Sequence, residues 1–222
     1  CERVDQQALQ KTLIRHMTWD DLRHNYRCGG IQDSEFPLAV TQSSTIMRFD
    51  EFLLAIAKTP SLMVYLDIKL QPHMTASAKD YATAIFSRWR AAGLSNPLYI
   101  EGPTQDSIAA YQQFDDVDFT SVLSYPPFYA GENWWIKGAK TALMSFIFPS
   151  RAVNTANNAN AHGVATPIEV LNQAMRKKLH AAHKKVIVFT PNNAKDMLRA
   201  CRAQVDIIIT DYPTLGGCQA QK

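Results

Sequence analysis

The chain has 222 residues, 46% of them hydrophobic, enough for one sizeable core, and no Pro/Gly/Ser-rich linker divides it. A net charge of +3 is too small to argue for a nucleic-acid partner, and no apolar run approaches the ~20 residues that cross a bilayer. Cys1, Cys28, Cys201 and Cys218 lack metal-ligand spacing, which argues against zinc. A start at Cys1, without an initiator methionine or a signal peptide, leads us to expect a processed product or an absent N-terminal part.

In chain order, Thr18-Trp19-Asp20-Asp21-Leu22 starts a short helix, with Thr18 as N-cap and Asp21 in the capping-box place. Cys28-Gly29-Gly30 stops it, and residues 31–46 form a loop. Phe49, Phe52, Leu53 and Ile56 recur at helical spacing. Residues 62–70 read as a strand, in which Asp67 and Lys69 lie two apart and share one side of the pleat. Thr75 or Ser77 opens a helix through Tyr81, Ile85, Phe86 and Trp89, which Gly93 closes. Residues 97–101 form a short strand, and Thr104 caps a helix through Ile108 and Tyr111.

Residues 119–125 read as a strand, residues 126–135 as an aromatic segment, and residues 142–148 as a further strand. The Asn/Ala-rich stretch 154–163 reads as a mobile loop. Thr166 with Glu169 makes a capping box for a helix carrying Val170, Leu171, Ala174 and Leu179. The runs 186–190 and 205–210 are short and rich in β-branched residues, as strands buried on both faces are. A helical segment with Met197, Leu198 and Cys201 on one side separates them. Strand, helix, strand requires a parallel sheet. Six strands alternating with helices fit an open doubly wound sheet or a barrel. A barrel typically has eight strands, so this chain is two short of one.

Function is expected at the C-terminal edge of the strands. Asp67 and Lys69 are the sharpest candidates there, because a carboxylate and an ammonium on a buried strand must be paired, ligated or facing a cavity. Asp67 could hold a divalent cation, and Lys69 could neutralise a phosphate or an oxyanion. Schiff-base chemistry by Lys69, as in an aldolase, is a weaker alternative. Glu101 ends the next strand and faces the same mouth. Asn192 and Asp211 follow the last two strands, where turn chemistry also explains them. Phe189, or the aromatics Tyr125, Phe128, Tyr129, Trp134 and Trp135, could wall a substrate. Cys201 and Cys218 are close enough in the expected order to pair. Arg176, Lys177, Lys178, Lys184 and Lys185 read as a solvated helix face. His180 and His183 are expected to be exposed, His162 to lie in the mobile loop, and His73 follows a strand end.

These residues resemble a family. Leu66-Asp67-Ile68-Lys69 is similar to the E-x-K strand of glycerophosphodiester phosphodiesterases. Residues 186–192 are similar to their V-x-x-W-T-V-N strand, and Val205 through Pro213 to their G-V-D-G-I-I-T-D-x-P ending. Thr18 through Arg23, Tyr26, Cys28-Gly29 and Phe36-Pro37 resemble the T-x-x-E-L-R, Y-x-C-G and F-P stretch of periplasmic-type members. Phe49-Asp50-Glu51-Phe52-Leu53 matches their L-D-E-x-L helix. The resemblance implies a TIM (β/α)8 barrel and hydrolysis of glycerophosphodiesters to an alcohol and glycerol 3-phosphate. It also implies a divalent cation (Ca2+ or Mg2+), two histidines as general acid and base, and a periplasmic or secreted location.

On this reading residues 1–222 are a single domain, the C-terminal three-quarters of such a barrel, lacking about its first two strands. Asp67 is the metal ligand and Lys69 the catalytic charge; Glu101, Phe189 and Asn192 bind substrate. The family's H-R-G, H-D and E-x-D motifs do not occur in the chain, so this segment alone is expected to be inactive. Asp67 stands in place of the motif's Glu, and Phe189 in place of its Trp. The expected partner is a small glycerophosphodiester, with no nucleic acid and no integral membrane segment; oligomeric state carries no signal. The alternative function is a catalytically inactive relative serving as a binding module.

Overall fold

A computed structural model describes residues 2–3, 16–27, 44–70, 76–125, 149–215 and 218. Near the start, β1 (Glu2–Arg3) pairs antiparallel with β2 (Tyr26–Arg27) across α1 (Trp19–Asn25). The capping box expected there forms: the Asp21 N–H donates to Thr18 Oγ1 at 3.1 Å, and the Thr18 N–H donates to Asp21 Oδ2 at 3.0 Å. After α2 (Phe49–Ile56) the chain alternates regularly: β3 (Val64–Asp67), α3 (Ala78–Ala91), β4 (Leu98–Gly102), α4 (Gln105–Tyr111) and β5 (Thr120–Ser124). A helical stretch at 149–158, α5, leads to β6 (Gly163–Pro167), α6 (Gln173–Ala181), β7 (Lys185–Phe189), α7 (Ala194–Ala203) and β8 (Ile207–Ile209).

Strands β3 to β8 form one six-stranded sheet in sequential order, every pair parallel. Sequential parallel order places right-handed crossovers on one side of the sheet, so the sheet curls as an arc of a (β/α) barrel. The alternation of side chains follows. Val64, Leu66, Leu98, Ile100, Leu123, Val164, Val186, Val188 and Ile208 join the helices in the main core. Tyr65, Tyr99, Val122, Ala165, Ile187, Phe189, Ile207 and Ile209 form a second cluster on the concave side.

Helix α3 shows how the sequence reaches this packing. Ser77 caps it by accepting from the Asp80 N–H at 3.1 Å. Its buried residues Ala82, Ile85, Phe86 and Trp89 recur at i, i+3, i+4 and i+7, one face of a helix. Phe86 packs on Phe114 and Phe119, with ring centroids 4.8 and 4.9 Å away. Gly93, at φ +60°, ends the helix in the left-handed region that glycine enters most easily.

The strand read at 62–70 is shorter, Val64–Asp67, so Lys69 lies beyond it, and two further stretches differ from the sequence reading. Residues 154–163 do not form a mobile loop: 149–158 are helical and Gly163 begins β6. The helix signal was the spacing of Ala152, Ala156 and Ala159, all buried. Thr166 caps no helix; it lies within β6, fully buried, and Asn172 caps α6 by accepting from the Met175 N–H at 2.8 Å. The fourth strand of the sheet is therefore 163–167; the strand expected at 142–148 lies outside the described residues, as do His73 and the aromatics of 126–135. Gly163 has to be small, because a Cβ there would sit 3.1 Å from both Ile187 and Lys185 on β7.

At the N-terminal end of the strands, Asp206 joins three elements. It accepts from the Val186 N–H at 2.8 Å, and lies 2.8 Å from His180 Nε2 and 3.2 Å from Lys185 Nζ. His180 is thus half-buried and paired rather than exposed. Burial would raise the Asp206 carboxyl, but these partners outweigh it and hold it below the usual carboxylate range. A depressed carboxyl stabilises the fold above its unfolded value of about 4, and that contribution is lost as pH falls through the folded value. Asp206→Asn is expected to cost about 1 kcal/mol near neutrality, since the site is part-exposed. In urea melts the gap from wild type should close below about pH 4; a gap that persists there would show that the charge is not what stabilises.

Candidate functional site

The C-terminal rim of the strands gathers the residues singled out from sequence. Asp67 is the last residue of β3, and it pairs in register with Glu101 on β4. Both share the concave side with Tyr65 and Tyr99, two residues earlier on each strand, whose rings stack 6.3 Å apart. The Lys69 ammonium lies 2.7 Å from Asp67 Oδ2, so of the arrangements open to these two groups they adopt the ion pair. It forms in the open, with 70% of the Lys69 side chain and 44% of the Asp67 side chain exposed. Such exposure gives Lys69 none of the dry surroundings that Schiff-base chemistry uses to free an amine.

Glu101 is the opposite case, with 2% of its surface exposed. The Tyr65 hydroxyl donates to its Oε2 at 2.7 Å. Burial pushes the Glu101 carboxyl above the usual carboxylate range. The Tyr65 and Ser124 hydroxyls and the Lys69 ammonium oppose that push, and the Asp67 charge adds to it. Burial, then the charges of Glu101 and Asp67, also push the Tyr65 phenol up, so it stays a hydrogen-bond donor. Tyr65 is a residue of the candidate site that the sequence reading missed. Period-two alternation from Asp67 back to Tyr65 was the signal for it.

Across the rim, Phe189 ends β7 on the concave side and is half-buried there. Asn192 and Asp211, in the loops after β7 and β8, brace each other. The Asn192 amide donates to Asp211 Oδ2 at 2.6 Å, and the Asp211 N–H donates to Asn192 Oδ1 at 3.0 Å. Thr210 adds a hydroxyl bond to the Pro191 carbonyl at 3.0 Å. The structure thus brings Asp67, Lys69 and Glu101 together and sets Phe189 and Asn192 on the same rim.

Among the described residues, His162 and His180 lie elsewhere. His162 is not in a mobile loop: it precedes β6 at the opposite end of the strands, where its Nδ1 accepts from the Ser121 N–H at 3.1 Å. Burial and the Lys184 charge lower its affinity for a proton, against a weaker pull from Asp118. A cavity of about 420 Å³ also opens at that end, lined by Arg90, Asn96, Asp116 and Asp118. Neither touches the rim.

Among the described residues no group of three or more His, Cys, Asp or Glu gathers around one point. Asp67 and Glu101 are nonetheless adjacent hard oxygen donors on one concave face. That donor set suits calcium or magnesium, which complete their shells with water and substrate oxygens.

The sequence profile of the glycerophosphoryl diester phosphodiesterase family matches residues 2–215. The chain belongs to that family. Its fold agrees. A protein of Silicibacter pomeroyi assigned as such a phosphodiesterase superposes with a TM-score of 0.67 at 17% identity, over 90% of this chain and 66% of that one. One from Galdieria sulphuraria gives 0.62 at 15% identity, over 92% and 69%. A phosphodiesterase of Oleispira antarctica, solved with the product sn-glycerol-3-phosphate, gives 0.54 at 13% identity, over 81% and 61%. The chain therefore spans about two thirds of the length of these structures. No curated protein matches it. As in the family, the strands are those of a TIM barrel, six of them among the described residues.

Proposed function

We propose that the protein to which this chain belongs hydrolyses glycerophosphodiesters to an alcohol and glycerol 3-phosphate with the help of a divalent cation. The observation that carries this reading is the Asp67–Lys69 pair beside Glu101, on the C-terminal rim of a parallel barrel sheet in a member of this family. Asp67 would hold the cation through its exposed carboxylate. A calcium or magnesium ion bound there supplies Lewis-acid polarisation of a phosphoryl oxygen. Lys69, exposed and ion-paired to Asp67, would offer its ammonium to the non-bridging phosphoryl oxygens, where charge develops as the ester breaks. Phe189 offers an apolar wall and Asn192 an amide edge to the leaving alcohol, with Asp211 holding that amide in place.

The chain carries no H-R-G, H-D or E-x-D motif, so no proton transfer is assigned to its own residues. We read residues 1–222 as one domain, the C-terminal three-quarters of the catalytic barrel. The Cys201–Cys218 disulfide supports a periplasmic or secreted location.

The test is release of glycerol 3-phosphate from a panel of glycerophosphodiesters, with and without chelator. The 222-residue chain alone is expected to give no appreciable turnover, and the longest native form of the protein to give turnover that chelator abolishes. Metal-dependent turnover by the 222-residue segment would overturn the first expectation. Inactivity of both forms would favour a second reading, suggested by the missing motifs: a non-catalytic barrel kept for binding.

A further inference from the structure

We infer that Glu101 is a second protein ligand for the cation held by Asp67, so that neighbouring strands contribute one carboxylate each. The inference rests on the cation reading above and assigns a residue that the E-x-K resemblance leaves aside. Register carries it first: Asp67 and Glu101 are direct partners across β3 and β4 and project to the same concave side. Reach carries it next. Asp67 is one methylene shorter than the motif's Glu, and so sits closer to its own strand and to β4. A glutamate on β4, with the longer arm, can meet an ion that Asp67 draws inward.

The surroundings of Glu101 are those of a ligating carboxylate. An ionised carboxylate has about four acceptor sites. The Tyr65 hydroxyl donates to one oxygen of it at 2.7 Å, which orients the group and leaves acceptor capacity for a further partner. Outer partners of this kind are the usual support of a metal-bound carboxylate. Charge balance points the same way. Two adjacent carboxylates, one of them buried, face a single ammonium that is ion-paired to the more exposed one. A divalent cation shared by both would neutralise the pair and release Lys69 toward an anionic substrate. The burial of Glu101 also changes its expected role: it would reach substrate through the cation rather than by direct contact.

The test uses the 222-residue chain and terbium, a luminescent substitute for calcium whose emission is sensitised by nearby aromatic rings such as Tyr65 and Tyr99. Terbium affinity, with calcium as competitor, is measured for wild type, Asp67→Asn, Glu101→Gln and Glu101→Asp, each checked for folding by thermal melting. Asp67→Asn and Glu101→Gln are each expected to weaken binding by about tenfold or more, and Glu101→Asp to weaken it less. If Asp67→Asn weakens binding while folded Glu101→Gln binds as wild type, the inference falls and the single-carboxylate reading stands. If neither matters, or wild type shows no calcium-competed site, both fall. Should Glu101→Gln fail to fold, Glu101→Asp decides. It keeps the charge but withdraws the oxygens, so unchanged affinity overturns the inference and a severalfold loss supports it.

Discussion

Replacing Asp67 by Asn is expected to reduce kcat/KM for glycerophosphodiester hydrolysis by about a hundredfold or more, measured on the longest active form of the protein. The magnitude follows from rank. Changing a residue that merely supports a metal ligand costs about 10–100-fold, so changing the ligand itself should cost at least the upper figure. Asn keeps the shape and one neutral oxygen but loses the charge that binds a hard cation. It also leaves Lys69 without its partner 2.7 Å away, so two effects combine. Raised cation concentration separates them: a lost ligand is partly rescued by excess calcium or magnesium, whereas a misplaced ammonium is not. A variant with the full metal-dependent rate would remove Asp67 from the site.

Opening the Cys201–Cys218 disulfide should be the largest single effect on stability outside the core. The bridge joins the last turn of α7 to the segment after β8, with Cα atoms 5.1 Å apart and 17 residues of sequence separation. A loop of that size is worth about 3 kcal/mol of chain entropy removed from the unfolded state. For a chain of this length that corresponds to roughly 6–12 °C in melting temperature. Because β8 is short and ends the described sheet, with its three isoleucines only half-buried, it has little packing to replace the bridge. Thermal melts with and without reductant, and of the Cys201→Ser, Cys218→Ser double variant, measure the effect. A melting temperature unmoved in both would show that β8 and the segment after it hold without the link.

Much of the fold was legible because its signals are local. The capping box of Thr18 and Asp21, the apolar stripe of α3 and the β-branched runs of β7 and β8 are each set by neighbours within a few residues. The site was legible in part for a similar reason. Alternation drew attention to Asp67 and Lys69, which do pair, although β3 ends at Asp67 and the pair stands exposed rather than on a buried strand. By contrast, β6 was missed. Gly163 was read as the end of a loop and Thr166 as a helix cap, yet residues 163–167 form a strand between β5 and β7, with β7 so close at Gly163 that a side chain there would crowd it. Thr166 and Glu169 matched a capping pattern whose geometry is not there, since the pattern is blind to a threonine buried in a sheet.

By itself the sequence determined the alternation of strands and helices and the parallel sheet, both of which depend on periodicity and short-range chemistry. Only the tertiary structure decided that Asp67 and Glu101 are register partners, that Tyr65 holds Glu101, and that Asn192 is engaged by Asp211. Those contacts join residues 19 to 36 positions apart in the chain. Which of them meet is set by strand register and barrel curvature, and these emerge from the packing of the whole sheet rather than from any one segment.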